Sequence, residues 1–232
     1  MGRSSRRRLP RGLYVITDGR SRPLPALRRR AVAVLEGGAH VLQYRDKSGD
    51  SARRLREAEV LAEVCREAGA TFIVNDDVAL ALAVAADGLH LGRDDDDIAA
   101  ARAILGPTPL IGVSCYDSLE RAAILHDAGA DYLAFGAVYP SPTKPDAVRV
   151  SMATLAEARR RFSVALVAIG GIRPENAAAV SALGVDALAV VSAVFSADDP
   201  AAAAAQMRLT FDEGVRRWSD ECGRSGWYTD GQ

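Results

Sequence analysis

The chain has 232 residues, of which 49% are hydrophobic, 25% charged and 6% aromatic, and its formal net charge is −1. That much apolar material builds a full core, which excludes global disorder, and the aromatics are too few for a sandwich assembled on aromatic pairs. No apolar run approaches the roughly 18 residues that a membrane-spanning helix needs. The three cysteines, Cys65, Cys115 and Cys222, are scattered and lack any CxxC pair, so neither a disulfide framework nor a zinc site is expected, in keeping with a reducing, cytoplasmic location.

Residues 1–30 carry ten arginines against one acid, Asp18. Residues 1–11 are expected to form a basic, flexible N-terminal extension. A twin-arginine export signal would continue into an apolar stretch of about 7–15 residues, whereas Leu9-Pro10-Arg11-Gly12 leads into a strand. No aromatic residue interleaves with Arg3 to Arg11, so no nucleic-acid partner is expected. From residue 12 onward, short β-branched apolar runs alternate with alanine-rich segments of helical period. Strands are predicted over 13–17, 41–45, 71–75, 88–91, 110–114, 132–138, 164–169 and 187–191. Helices are predicted near 24–36, 51–68, 77–86, 97–105, 118–128, 151–162, 174–183 and 199–217. Gly37-Gly38, Gly69, Gly129 and Gly184 punctuate helix ends, and Pro174 suits a first helical turn. Near-continuous apolar strands alternating with helices imply a covered parallel sheet. Eight such units close into a single (β/α)8 TIM barrel. The glycine-rich turn of a doubly wound sheet is missing after the first strand, where Thr17-Asp18-Gly19-Arg20 stands. One barrel domain over 12–217 is therefore expected, with a flexible tail over 218–232.

Chemistry in this fold sits on the loops after the strands' carboxyl ends. The second strand leads into Gln43-Tyr44-Arg45-Asp46-Lys47, where alternation puts Gln43, Arg45 and Lys47 on one side. An amide with two cations suits a heterocycle beside a phosphate chain; the alternative is an exposed charged loop. Lysine is otherwise nearly absent: 29 residues are Lys or Arg, and only Lys47 and Lys144 are lysine. A lysine kept in such a chain can mark a place for a compact, mobile ammonium. The third strand exits into Asn75-Asp76-Asp77, and the fourth into Gly92-Arg93 followed by four aspartates, Asp94 to Asp97. Such a run suits a helix N-terminus; equally, one carboxylate from each exit suits magnesium, which takes one or two carboxylates, waters and phosphate oxygens.

The fifth strand exits at Ser114-Cys115, a weak signal by itself. The sixth exits into Tyr139-Pro140-Ser141-Pro142-Thr143-Lys144-Pro145, a proline-stiffened loop offering two hydroxyls and an ammonium, the makings of a phosphate clamp. The seventh and eighth end in Gly170-Gly171 and Val191-Ser192, where backbone N–H groups can approach an anion; the glycines could equally serve a tight turn. His40 falls before the second strand, His126 in a helix, and His90 within the fourth strand facing either core or lumen. No G-x-S-x-G, H-E-x-x-H or Walker loop occurs, which leaves hydrolytic nucleophile chemistry without a foothold. The inventory suits a reaction with an anionic leaving group.

In this order Leu13-Tyr14-Val15-Ile16-Thr17-Asp18, Q-x-R-x-K at 43–47, Asn75-Asp76, H-L-G-x-x-D at 90–95, Gly112-Val113-Ser114, the Pro140 to Lys144 loop, Ile169-Gly170-Gly171-Ile172 and Val190-Val191-Ser192-Ala193 resemble the thiamine-phosphate synthase family, over about 13–195. The resemblance implies joining of a pyrimidinylmethyl diphosphate to a thiazole phosphate with release of pyrophosphate, using Mg2+ and no organic cofactor. It implies that Gln43 and Ser114 face the aminopyrimidine, that Arg45, Lys47 and Lys144 hold the diphosphate with Asn75 close by, and that Asp76 and Asp95 hold magnesium. Ser141, Thr143 and the backbone N–H groups of Gly171, Val191 and Ser192 would then bind the thiazole phosphate. Three positions depart from the family pattern: Arg93 stands for the usual glutamine, Ser141 for a threonine, and Tyr44 for an aliphatic residue. Two rivals remain at this level. A thiazole tautomerase-like paralogue would need an acid–base group and no metal carboxylates, and a catalytically silent phosphometabolite-binding barrel would have lost part of this set. Barrels of this size often dimerise, but the sequence designates no surface patch for a partner copy.

Overall fold

The computed structural model describes residues 8–92, 97–140 and 148–225. Eight strands alternate with eight helices: β1 Gly12–Ile16, α1 Leu24–Glu36, β2 Ala39–Tyr44, α2 Ser51–Ala68, β3 Thr71–Asn75, α3 Val78–Ala83, β4 Gly88–Leu91, α4 Ile98–Leu105, β5 Leu110–Tyr116, α5 Leu119–Asp127, β6 Tyr132–Gly136, α6 Met152–Arg161, β7 Ala165–Ile169, α7 Pro174–Ser181, β8 Ala187–Val190 and α8 Pro200–Ser225. The strands pair in sequence order, all parallel, and β8 closes onto β1. The (β/α)8 barrel expected from the alternation is the fold.

Strand periodicity of two divides the apolar residues into two cores. One set, such as Leu13, Val15, Phe72 and Val74, packs outward against the helices. The other, including Tyr14, Val41, Ile73, Tyr132 and Val167, fills the lumen, so the barrel is a packed cylinder with one functional rim. Helix starts are fixed by side chains accepting from the first turn: Asp50 from Arg53 N, Asp77 from Leu80 N, Asp97 from Ala100 N, Ser118 from Arg121 N and Ser151 from Thr154 N. The last of the four aspartates is thus a helix cap. Gly69 ends α2 in the left-handed conformation, φ 66°.

Several expectations shift. His40 lies inside β2 rather than ahead of it, and its ring sits so close to β1 that a Cβ on Gly12 would fall 2.5 Å from His40 Nδ1. β6 stops at Gly136, because Ala137 N donates to Val148 O at 2.9 Å and Val150 N to Ala137 O at 3.0 Å, which redirects the strand end to the far side of its own loop. Leu9, expected in the flexible extension, is buried with the lumen residues. The helix expected to end at 217 runs on to Ser225, where a loose tail was anticipated. Trp218 explains the extension: its ring lies under the Arg11 guanidinium at 5.6 Å and beside Gly184, which anchors the added turns to the barrel. Among the described residues no helix is long and apolar enough to cross a membrane.

Candidate active site

At the end of β2 the backbone alternates as the sequence suggests. Tyr44 and Asp46 turn toward α2: Tyr44 OH donates to Glu57 at 2.7 Å, and Asp46 is ion-paired with Arg53 at 2.7 Å and accepts from Ser48 N at 2.6 Å. This answers the presence of Tyr44 where an aliphatic residue is usual: the ring is buried and its hydroxyl is satisfied by a buried carboxylate. With these residues bound from behind, Gln43, Arg45 and Lys47 take the other side. Gln43 is buried, Arg45 half-buried and Lys47 exposed. The Arg45 backbone is stapled to β1's exit, its N–H donating to Thr17 Oγ1 at 2.8 Å while the same hydroxyl donates to Arg45 O at 3.2 Å.

The exits of β3 and β4 meet β2 at one carboxylate. Asp76 has φ 62° and is held there by its N–H, which donates to His90 O at 2.8 Å. Its Oδ1 accepts from Gly92 N at 3.1 Å, and its Oδ2 accepts from Asn75 Nδ2 at 2.6 Å and pairs with the Lys47 ammonium. The neighbouring Asp77 turns away, capping α3 and pairing with Arg54 at 2.7 Å. Asn75, Asp76 and Lys47, from the β3 and β2 exits, therefore form one charged knot that the Gly92 N–H ties to the β4 exit.

Below it runs a polar chain, buried at Gln43, Tyr14 and Tyr132 and half-buried at His90 and Ser114, whose three middle members were not among the candidate site residues read from the sequence. Gln43 Nε2 donates to Tyr14 OH at 2.8 Å, Tyr14 OH lies 2.9 Å from Tyr132 OH, Tyr132 OH 3.0 Å from His90 Nδ1, and His90 Nε2 3.0 Å from Ser114 Oγ. Gln43 and Ser114, assigned to one ligand by resemblance, are thus joined across the lumen. Burial pushes His90 down to about 4, with the Asp76 charge opposing, so the imidazole is neutral at physiological pH. Burial likewise raises both tyrosines, leaving them as phenols. The alternation Gly88-Leu89-His90-Leu91 carries the signal that could have placed His90: its leucine neighbours pack outward. Tyr14 and Tyr132 have no comparable local mark.

On the opposite side of the rim, β7 and β8 end side by side. Gly171 has φ 63°, and a Cβ there would lie 2.5 Å from Pro140 O, so the loop after β6 begins pressed against the β7 exit. The N–H groups of Gly171, Val191 and Ser192 donate to no backbone acceptor among the described residues. The turn after β8 is pinned from outside by Arg30, which donates to Phe195 O and Ala197 O at 2.7 Å each, and by Ser196, which donates to Asp18 at 2.9 Å. Asp95, Ser141, Thr143, Lys144 and the divergent Arg93 lie outside the described residues.

Oxygen donors at this rim suit a hard divalent ion. Asp76 projects its carboxylate where three exits meet, and no group of three or more His, Cys, Asp or Glu side chains forms a metal cage among the described residues. A magnesium ion that draws on one or two carboxylates, water and substrate phosphates fits such a donor set.

A closed parallel barrel whose rim gathers cations, a carboxylate and open backbone amides defines a barrel enzyme of phosphorylated small molecules. Residues 13–194 match the family described as thiamine monophosphate synthase, and the chain belongs to that family. It is 53% identical over 202 residues to the thiamine-phosphate synthase of Thioalkalivibrio sulfidiphilus, covering 87% of this chain and 96% of that one. It is 53% identical over 196 residues to that of Halorhodospira halophila, covering 84% and 92%. Among solved structures it superposes on the thiamine phosphate pyrophosphorylase of Pyrococcus furiosus with a TM-score of 0.80 at 38% identity, over 88% of this chain and 96% of that chain.

Proposed function

We propose that the barrel rim joins 4-amino-2-methyl-5-pyrimidinylmethyl diphosphate to thiazole phosphate, giving thiamine monophosphate and pyrophosphate. The observation that carries this reading is the knot in which Lys47 of the β2 exit pairs with Asp76 of the β3 exit, itself held by Asn75 and by the Gly92 N–H of the β4 exit, with Arg45 on the same β2 exit as Lys47. It supplies cations for a diphosphate and a carboxylate for a metal, a pairing that a proton-moving tautomerase does not need.

The C–O bond between the pyrimidine methylene and the diphosphate breaks, and its electron pair leaves with pyrophosphate. The lone pair of the thiazole nitrogen, unprotonated at neutral pH, then forms the new C–N bond, so no general base is required. Arg45, Lys47 and Lys144 neutralise the departing charge, and removing one such contact typically costs about 10²–10³ in rate. Gln43 and Ser114 hold the aminopyrimidine, with Asn75 beside the diphosphate. The amides of Gly171, Val191 and Ser192, with the Ser141 and Thr143 hydroxyls, hold the thiazole phosphate and set the two rings face to face. Asp76 and Asp95 would hold Mg2+, which when bound supplies further neutralisation of the leaving diphosphate. The neutral His90 helps by omission, since an imidazolium below the pyrimidine would oppose the developing methylene cation.

With both substrates and Mg2+, the protein is expected to release pyrophosphate in step with thiamine monophosphate, and a chelator is expected to stop both. Authentic substrates that yield no pyrophosphate would overturn the reading and point to the tautomerase.

A further inference from the structure

Gln43 and Ser114 stand on β2 and β5, on different sides of the barrel, yet they are the two ends of one hydrogen-bonded chain. Of the three residues between them Tyr14 and Tyr132 are buried and His90 is half-buried, and none makes another side-chain hydrogen bond among the described residues. Their donors and acceptors toward one another can therefore be counted link by link. A phenol has one proton to donate, and an imidazole nitrogen that accepts a hydrogen bond carries no proton of its own. Gln43 Nε2 donates to Tyr14 OH, so Tyr14 gives its proton to Tyr132. Tyr132 then gives its own to His90 Nδ1, which places the imidazole proton on Nε2, toward Ser114 Oγ. Ser114 Oγ thereby accepts from the imidazole, and its own proton is free to point into the mouth. At the other end Gln43 Oε1 is left as an acceptor. Reversing any one bond leaves a buried hydroxyl proton or lone pair unmatched unless the whole chain reverses, so the two ends are set together rather than separately.

We propose that Tyr14, Tyr132 and His90 are positioning residues that couple Gln43 and Ser114 into one matched pair, a carbonyl acceptor and a hydroxyl donor, complementary to the amino group and a ring nitrogen of an aminopyrimidine. The inference deepens the proposed function and rests on its placing of the pyrimidine between Gln43 and Ser114. It separates the pyrimidine half of the reaction from the thiazole phosphate half, because nothing in the chain touches the β7 and β8 exits. It also explains why the floor of the mouth is phenolic and imidazole rather than aliphatic: a site whose polar groups are fixed in direction rejects an analogue that lacks the amino group, whose absence leaves a buried carbonyl unpaired.

Tyr132→Phe keeps the ring and removes the hydroxyl at the centre of the chain. It is expected to raise KM for the pyrimidine diphosphate about 10-fold, the equivalent of one lost buried hydrogen bond, and to leave KM for thiazole phosphate unchanged. The decisive readout is a double-mutant cycle on Gln43→Ala and Ser114→Ala. In the full-length protein with Mg2+ their effects on kcat/KM should be non-additive by about 5-fold or more, and they should become additive once Tyr132→Phe is present. Tyr14→Phe, which cuts the neighbouring link, should give the same result and serves if Tyr132→Phe melts early. Non-additivity that survives both cuts, equal rises in KM for the two substrates, or loss of folding in both phenylalanine variants would overturn the coupling while the reaction stands. Absence of pyrophosphate from the unsubstituted protein would instead overturn the reaction, and the coupling with it.

Discussion

Gly112 offers the sharpest test of how the lumen is built. It pairs with Tyr132 across the β5–β6 ladder, and an ideal Cβ on it would fall 1.8 Å from Tyr132 Cζ, 2.1 Å from Cε1 and 2.2 Å from Cε2. Tyr132 is fully buried and stacked on His90 at 5.6 Å, so the ring has no free space to enter. In Gly112→Ala the ring must swing away, breaking its bonds to Tyr14 and His90 together. Overpacking costs about 1–3 kcal/mol, and each of the two buried hydrogen bonds adds about 1 kcal/mol, so the loss is about 3–5 kcal/mol. For a domain of this size each kcal/mol lowers Tm by about 2–4 °C, which places the drop at about 6–20 °C. Thermal unfolding followed by circular dichroism measures it, with KM for the pyrimidine diphosphate read below the transition and expected to rise. Gly69→Ala is the control: a Cβ there meets nothing within 4 Å but must accept φ +66°, so only about 1 kcal/mol of backbone strain is expected. If Gly112→Ala melts within about 2 °C of the unsubstituted protein, the ring is not packed against residue 112 and the account of the lumen is wrong.

Lys47→Ala should lower turnover about 10²–10³-fold with Tm nearly unchanged, because the ammonium is exposed and its ion pair with Asp76 contributes little to stability; pyrophosphate release and a melting curve test both. Lys144→Ala should behave similarly in turnover, and unfolding of that variant would contradict its role as a rim clamp. Asp46 gives a pH signature. Burial works against its ionisation, but the Ser48 hydroxyl and N–H together with Arg53 and Arg54 outweigh it, and the carboxyl is held below its ordinary value. A depressed folded-state pKa means the stabilisation is present above the unfolded value of about 3.9 and is lost as pH falls through the folded one. Asp46→Asn should therefore lower Tm at neutral pH and flatten its decline on acidification, measured by melting from neutral to strongly acidic buffer.

The positions of the strands and helices were legible because each reports on itself. Alternating apolar runs and alanine-rich segments of helical period recur through the chain, caps such as Asp50 and Ser151 stand where the first turns need them, and eight parallel units have few ways to close. The candidate site was legible for a related reason: the strands' carboxyl ends share one rim, so polar residues at successive exits become neighbours without any long-range knowledge. Gln43, Arg45 and Lys47 follow from alternation, and Asn75, Asp76, Gly171 and Ser192 from the exit rule. Alternation also held for Tyr44, whose outward turn toward Glu57 is what frees the other side of the strand for the mouth.

What stayed hidden depends on which residues closure brings face to face. Tyr14 and Tyr132 are 118 positions apart and meet only because the barrel's stagger sets both at one height in the lumen. The division of labour between Asp76, turned to the rim by a left-handed backbone, and Asp77, turned to cap a helix, is invisible in two adjacent identical letters. Leu9 and Trp218 lie in segments whose composition suggests loose ends, and each is held by a surface that exists only once the barrel has closed. Local periodicity and strand order thus decided the architecture and the ring of charge at its mouth, since both follow from short-range sterics and a single topological rule. The floor beneath that ring was decided by tertiary structure alone, because hydrogen-bond partners across a lumen are chosen by register and stagger, which no single segment encodes.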